Sequence, residues 1–133
     1  MAEQTIKWGI MGPGRISEQF ATDLRSVEGV ELVAVGSRSK ERAEAFAAKF
    51  GAKRAYGSCE ELAADPEVDI VYVGTVHPAH HENMLTLIRG GKAVLCEKPF
   101  TMNANQAEEV IREARERGVF LMEAMWTRYL PPI

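Results

Sequence analysis

Short apolar runs alternate along this chain with segments whose apolar residues recur at helical spacing. Residues 5–11 (TIKWGIM), 30–35 (VELVAV) and 68–73 (VDIVYV) each read as a buried strand. Such runs, bounded by turn formers, suit a sheet covered on both faces. Residues 92–96 and 119–125 read as further strands, and Tyr56 marks one more short extended piece. Between the runs, Ile16, Phe20, Leu24 and Val27 line one face of a helix over 15–27. Ala43, Phe46, Ala47 and Phe50 do the same over 40–50, where Gly51 stops the helix. Ser58 caps a short helix through Ala64, with Glu61 completing a capping box. Pro78 opens a helix through Arg89, closed by Gly90 and Gly91. Asn103 or Asn105 caps a helix through Arg117, and Gly118 ends it. The alternation predicts an α/β domain: a doubly wound, mainly parallel sheet with helices on both faces.

Composition narrows the partners. The chain has 133 residues, 46% hydrophobic and 26% charged, as expected of one ordinary globular domain. Its net charge of -3 gives no general pull toward nucleic acid or an anionic membrane. Neither is expected as a partner, and any anion site must be built locally. No apolar run approaches the roughly 20 residues that span a bilayer, and residues 1–7 lack a signal-peptide core. Cys59 and Cys96 lie far apart with no metal-ligand spacing, and Cys96 sits inside an apolar run. A reduced, cytoplasmic protein is expected.

The candidate chemistry follows the strands. Gly12-Pro13-Gly14-Arg15-Ile16-Ser17 leaves the first strand and opens the first helix. It fits G-x-G-x-x-G/A with a serine in the third small position. Gly12 permits the tight turn, Gly14 lets backbone approach a pyrophosphate, and Ser17 allows close helix–strand contact. The helix N-terminus adds free N–H groups and a positive dipole. The second strand ends Val35-Gly36-Ser37-Arg38-Ser39-Lys40, with no acid at its tip. NAD sites usually hold the ribose hydroxyls with Asp or Glu there. A carboxylate would repel a 2′-phosphate, whereas Arg38 can pair with it and stack on adenine. The cofactor expected is therefore NADP(H) rather than NAD(H). The plainer alternative is a solvated basic loop.

Thr75, Val76 and His77 follow the 68–73 strand and are placed to contact cofactor, with His80 a weaker candidate and His81 a surface histidine. The histidines do not make H-E-x-x-H, and no metal is expected. Glu97-Lys98-Pro99 ends the next strand on the same edge. Lys98 is the catalytic candidate: it can polarise a substrate oxygen or shift a neighbour's pKa, or it is simply a solvated loop charge. Glu97 either orients Lys98 or touches the nicotinamide side. Trp126 and Arg128 follow the last strand. Trp126 stacks near the nicotinamide, walls a substrate pocket, or packs an interdomain seam.

Taken in order, GIMGPGRIS, YVGTVHPAHHE, GKAVLCEKP and LMEAMWTRYLP resemble the glucose–fructose oxidoreductase / inositol dehydrogenase (Gfo/Idh/MocA) family across essentially the whole chain. Within it, the look is that of the dimeric dihydrodiol dehydrogenase and NADP-dependent D-xylose dehydrogenase branch. The resemblance implies a Rossmann domain over 1–133, with 119–133 the last strand and the start of a connection to a substrate domain lying beyond this chain. The expected strand order is 3-2-1-4-5-6, with Gly12, Ser37, Thr75, Glu97 and Trp126 along one edge. It implies hydride transfer at a sugar or vicinal-diol carbon, with Lys98 working beside a histidine or tyrosine of the second domain. In many relatives an aspartate at the place of Ser37 goes with NAD. Alone, the chain is expected to bind cofactor without turnover. It is also expected to form homo-oligomers through apolar surface at Trp126, Tyr129 and Leu130. Rival readings are a non-catalytic dinucleotide-binding module, and an NAD-dependent glycosidase or imine reductase on the same fold.

Overall fold

The computed structural model describes residues 5–97 and 103–124, His77 and Ala124 by backbone only. The strands are β1 (Ile6–Met11), β2 (Val30–Gly36), β3 (Arg54–Tyr56), β4 (Ile70–Val73), β5 (Ala93–Glu97) and β6 (Leu121–Ala124). The helices are α1 (Arg15–Leu24), α2 (Lys40–Phe50), α3 (Cys59–Ala63), α4 (His80–Arg89) and α5 (Ala104–Arg117). All pairings are parallel, in the order β3-β2-β1-β4-β5-β6. This is the expected doubly wound sheet.

Alternation along the strands builds two cores. Ile10, Val35 and Tyr72 pack with Phe20 and Ala21 of α1 and Ala43, Phe46 and Ala47 of α2. Their strand neighbours Met11, Val71, Val73, Val94 and Cys96 pack with α3, α4 and α5 on the other face. Full burial of both faces explains why the strands read as continuous apolar runs. Within the first core the Phe20 and Tyr72 rings stack at 4.1 Å.

Element ends differ from the sequence expectation where local bonds intervene. α1 stops at Leu24, and Arg25 to Val27 form turns closed on Ala21, Asp23 and Leu24 carbonyls. Val27 is exposed, so nothing buries a further turn. Pro78 does not open the α-helix. It lies in a 3-10 turn over His77–Ala79, closed by the Ala79 amide on the Val76 carbonyl, and α4 starts at His80. β4 begins at Ile70 because residues 65–68 make a turn, the Val68 amide donating to the Asp65 carbonyl. β6 begins at Leu121 because the Val119 amide closes the end of α5 on the Ala114 carbonyl, past Gly118 in the left-handed region. Of the two candidate caps for α5, Asn103 accepts the Gln106 amide at 2.9 Å. At the start of α3 the Ser58 hydroxyl accepts the Glu61 amide as expected, while the Glu61 carboxylate closes the cap on the Gly57 amide and the Ser58 hydroxyl rather than on the Ser58 amide.

Candidate nucleotide site

Parallel strands in this order bring the ends of β1, β2, β4 and β5 to one edge, the register aligning Met11 with Gly36 and Val73, and Val73 with Cys96. The loops leaving that edge surround a cleft of about 650 Å³. Its walls are Gly12, Pro13 and Gly14 after β1, Ser37, Arg38, Ser39 and Arg42 after β2, and Thr75, Val76, Ala79 and Asn83 after β4. A second hollow of about 440 Å³ continues past Pro13, Gly14 and Arg42 to Arg15, Glu18, Phe46 and Lys49. Such a crevice beyond the strand ends, where the order reverses between β1 and β4, is where open α/β sheets take ligands.

The loop after β1 is shaped by two close approaches. Gly12 has φ +95, and a Cβ there would lie 2.6 Å from Thr75 Cγ2. Ser17 is fully buried, and its hydroxyl donates to the Gly12 carbonyl at 2.6 Å. Gly74 lies so close to the Ser17 hydroxyl that a side chain there would collide with it. Gly14, in contrast, is extended with open space where a Cβ would stand. α1 carries no capping side chain, so its first-turn amides face the cleft side without an acceptor from a cap. Room at Gly14 and uncapped amides beside it fit the pyrophosphate of a dinucleotide.

Beyond β2 the rim is basic. Ser37 is buried and its hydroxyl accepts the Ser39 amide at 3.1 Å. Ser39 caps α2, accepting the Arg42 amide at 3.3 Å. Arg38 is exposed, with no hydrogen bond or ion pair to the described residues. Arg42, which the sequence reading passed over, reaches back so that its guanidinium donates to the Pro13 carbonyl at 3.1 Å. Its position one turn after Ser39, four residues beyond Arg38, was the available signal. No carboxylate stands among the described residues that line the cleft.

On the other side, Thr75 lies against Gly12 and Val76 is 67% exposed. His77 forms the 3-10 turn. His80 does not line the cleft: it is 2% exposed, behind the loop, with Nε2 2.8 Å from the Thr75 carbonyl. It began α4 on the buried side because Met84, Leu87 and Ile88 face the same core. His81 is tied to Glu109 of α5 at 2.7 Å rather than standing alone on the surface. Asn83, also unforeseen, accepts the Thr75 hydroxyl at 2.7 Å. Ile16 and Arg15 are exposed at the head of α1. Glu97 ends β5 and its carboxylate accepts the Tyr72 hydroxyl at 2.6 Å. Lys98, Trp126, Arg128, Tyr129 and Leu130 lie outside the described residues.

Both cysteines are buried. Burial pushes the Cys59 thiol up to about 12 and the Cys96 thiol higher still, so neither is a reactive thiolate near neutral pH. Among the described residues no group of three His, Cys, Asp or Glu side chains could hold a metal, and no helix is long and apolar enough to cross a membrane.

Fold and cleft together define a dinucleotide-binding Rossmann domain. Residues 6–125 match the family described as an oxidoreductase family with an NAD-binding Rossmann fold, Gfo/Idh/MocA. The chain belongs to that family, as an NAD(P)-binding Rossmann domain of an oxidoreductase. It is 49% identical over 130 residues to trans-1,2-dihydrobenzene-1,2-diol dehydrogenase of Sus scrofa, covering 96% of this chain and 39% of that protein. A solved structure of the 3-ketoreductase KijD10 from Actinomadura kijaniata, with TDP-benzene and NADP, is 36% identical with a TM-score of 0.85, covering 90% of this chain and 38% of that one. GenD2 from gentamicin A biosynthesis, in complex with NAD, is 29% identical with a TM-score of 0.85, covering 91% and 34%. The chain thus spans about two fifths of the length of its curated relatives.

Proposed function

We propose that this chain is the NADP(H)-binding domain of an oxidoreductase that transfers hydride between the nicotinamide and a sugar or vicinal-diol carbon. The carrying observation is the rim beyond β2, where Ser37, Arg38, Ser39 and Arg42 border a cleft with no carboxylate among the described residues of its lining. A 2′-phosphate there meets two guanidiniums and two hydroxyls, and no carboxylate among the described residues of the cleft lining. The similar structures contain NADP in one case and NAD in another, so the choice rests on this rim.

Each wall has a part in the reading. Gly12, Pro13, Gly14, Arg15 and Ile16 hold the pyrophosphate through backbone amides and the α1 dipole. Thr75, Val76 and His77 border the nicotinamide riboside, with Glu97, Trp126 and Arg128 toward its far side. The bound cofactor supplies or accepts the hydride. Lys98, directly after Glu97 in the chain, hydrogen-bonds the reacting oxygen as charge develops on it, or lowers the pKa of a partner acid. That acid belongs to the remaining length of the polypeptide that the relatives carry, with residues 119–133 leading toward it. A diol substrate agrees with the name of the Sus scrofa relative. A reducing, cytoplasmic setting suits the two buried thiols. Self-association into homo-oligomers is supported by exposed Phe120 and Met122 around β6.

The test is a titration of NADPH and NADH at one fixed ionic strength, since salt screens phosphate contacts. NADPH should bind at least about tenfold tighter, a difference of about 1.4 kcal/mol. Arg38→Ala should weaken NADPH alone, and Ser37→Asp should shift preference toward NADH. Equal affinities, or an indifferent Arg38→Ala, remove the NADP reading. Light scattering on the same samples reports self-association, which a monomer at every concentration rules out. Lys98→Met in the intact polypeptide, assayed with D-xylose and a cyclic diol, should abolish most turnover with cofactor affinity unchanged. Full activity would take Lys98 out of the chemistry.

A further inference from the structure

We propose that His80 is a positioning residue for the dinucleotide. With Asn83, it pins Thr75 against Gly12 and so sets the spacing between the two loops that wall the cleft. The proposal rests on the cofactor reading above; His80 lies behind the cleft, while Thr75 and Asn83 stand in its wall.

Thr75 occupies an awkward place. It leaves β4 just before the 3-10 turn at His77–Ala79. The turn is closed one residue further on, by the Val76 carbonyl. Two bonds from the first turn of α4 hold Thr75 instead. His80 Nε2 is 2.8 Å from its carbonyl, and Asn83 Oδ1 accepts its hydroxyl at 2.7 Å. A carbonyl can only accept, so Nε2 carries the proton and donates. Thr75 therefore has backbone and side chain fixed to one rigid helix.

The other side of Thr75 is the phosphate loop. An added Cβ at Gly12 would meet Thr75 Cγ2, N and Cα at 2.6, 2.8 and 2.9 Å. The two backbones are thus in contact, with no side chain between them. Gly12 is itself held by the Ser17 hydroxyl on its carbonyl and by the Gly36 carbonyl accepting its amide at 2.9 Å. α1 and β2 fix one loop, α4 fixes the other, and the Gly12–Thr75 contact joins them. His80 is the largest buried polar side chain engaged in this chain of contacts. Its removal would leave a cavity and free the Thr75 carbonyl to rotate toward solvent, widening the cleft on the side common to NADP and NAD. A misplacement of about an ångström is enough to weaken a site of this kind substantially.

The experiment measures dissociation constants for NADPH and NADH on the 133-residue chain and its variants. Each is measured well below the variant's own unfolding midpoint, with circular dichroism matching the wild type. His80→Ala should raise both constants by about tenfold, by the same factor, because the clamp acts on the part the two cofactors share. His80→Gln should recover most of the loss, since its amide can still donate to the carbonyl. Arg38→Ala, acting at the 2′-phosphate, should weaken NADPH alone. Thr75→Val and Asn83→Ala should each weaken binding about threefold. Their combination should cost no more than the larger single change, since both break one bond.

A folded His80→Ala with unchanged constants overturns the positioning role and leaves the cofactor reading intact. If His80→Ala does not fold, Thr75→Val and Asn83→Ala decide, and unchanged binding in both overturns it. A wild-type chain that binds neither dinucleotide overturns the cofactor reading and this inference together.

Discussion

Glycine at position 74 is set by two neighbours. A Cβ there would collide with the Ser17 hydroxyl and approach Tyr72 Cε2 at 3.0 Å. Neither group can retreat, because Ser17 and Tyr72 are both fully buried. Gly74→Ala should therefore destabilise the fold by about 1–3 kcal/mol, read as a shift in the urea midpoint. Ser17→Gly in the Gly74→Ala background should recover part of that loss. The recovery stays partial because the Gly12 carbonyl loses its donor. Additive losses in the double variant would show that the two residues do not compete for the same space. Ser17 illustrates what residue types alone disclose. Its smallness was legible in the loop motif, whereas its pairing with Gly74, 57 positions later in number, exists only once β1 and β4 are neighbours. The same holds for His80. Its type and position near a strand end pointed to the cleft, but helical phase puts it in the core with Met84, Leu87 and Ile88. Arg38 was legible because the preference for an acid at the end of β2 is itself a sequence signal. Arg42 was legible only as a basic residue one helical turn after Ser39; that its guanidinium turns back to Pro13 depends on the loop after β1 lying beside α2.

At the scale of elements, the opposite edge of the sheet is stitched by charge. Asp65 is buried in the turn before β4, where the Arg54 guanidinium of β3 donates to it at 2.8 Å and the Tyr56 hydroxyl at 2.8 Å. Arg54 also reaches Glu67, which Lys7 of β1 meets at 2.9 Å and Lys53 at 3.3 Å. Lys92, buried at the foot of β5, donates to the carbonyls of Asp65 and Val68. The 65–68 turn thus links β3, β1 and β5, which explains why β4 is shorter than its apolar run. Burial pushes the Asp65 carboxyl up, but Arg54, the Glu67 amide and Tyr56 outweigh it and hold it below its ordinary value. The Arg54 guanidinium, then the Lys7 ammonium, hold Glu67 down to about 2 from 4.5. A carboxylate whose folded pKa lies below its unfolded one stabilises the fold above the unfolded value. That contribution drains away as pH falls through the folded one. The urea midpoint should accordingly fall between about pH 5 and pH 2. Arg54→Met should lower the midpoint at pH 7 and flatten this acid limb. An unchanged limb in Arg54→Met would assign the acid sensitivity to other carboxylates. None of these partners was read from the sequence, where Asp65 and Glu67 are only polar residues before a strand. The strands themselves were legible because burial on both faces leaves a plain apolar signature.

For the molecule as a whole, the cleft draws on loops from three strands, and those strands contribute to both cores. Met11, Val71 and Val73 serve the core under α3 to α5, while Ile10, Val35 and Tyr72 serve the one under α1 and α2. No part of the nucleotide site can open without disturbing a strand that both cores share. Unfolding should therefore be a single cooperative transition, and a ligand that bridges the three loops should stabilise the entire described fold rather than one lobe. At NADPH one hundred times above its dissociation constant, linkage adds roughly 2.7 kcal/mol. For a chain of this size each kcal/mol moves the midpoint by about 3–5 °C, so the rise should be on the order of 10 °C. NADH at the same concentration should give a smaller rise, about half for a tenfold weaker affinity because linkage grows with the logarithm of concentration over dissociation constant, and Arg38→Ala should close the gap by lowering only the NADPH shift. Calorimetry and circular dichroism should agree with each other on one midpoint for the free chain and on one higher midpoint for the liganded chain. Two separated transitions, with NADPH moving only one, would mean that the cores unfold independently and that the cleft belongs to one of them. A single transition indifferent to NADPH would mean that the loops around Gly12, Arg38 and Thr75 do not together hold a dinucleotide.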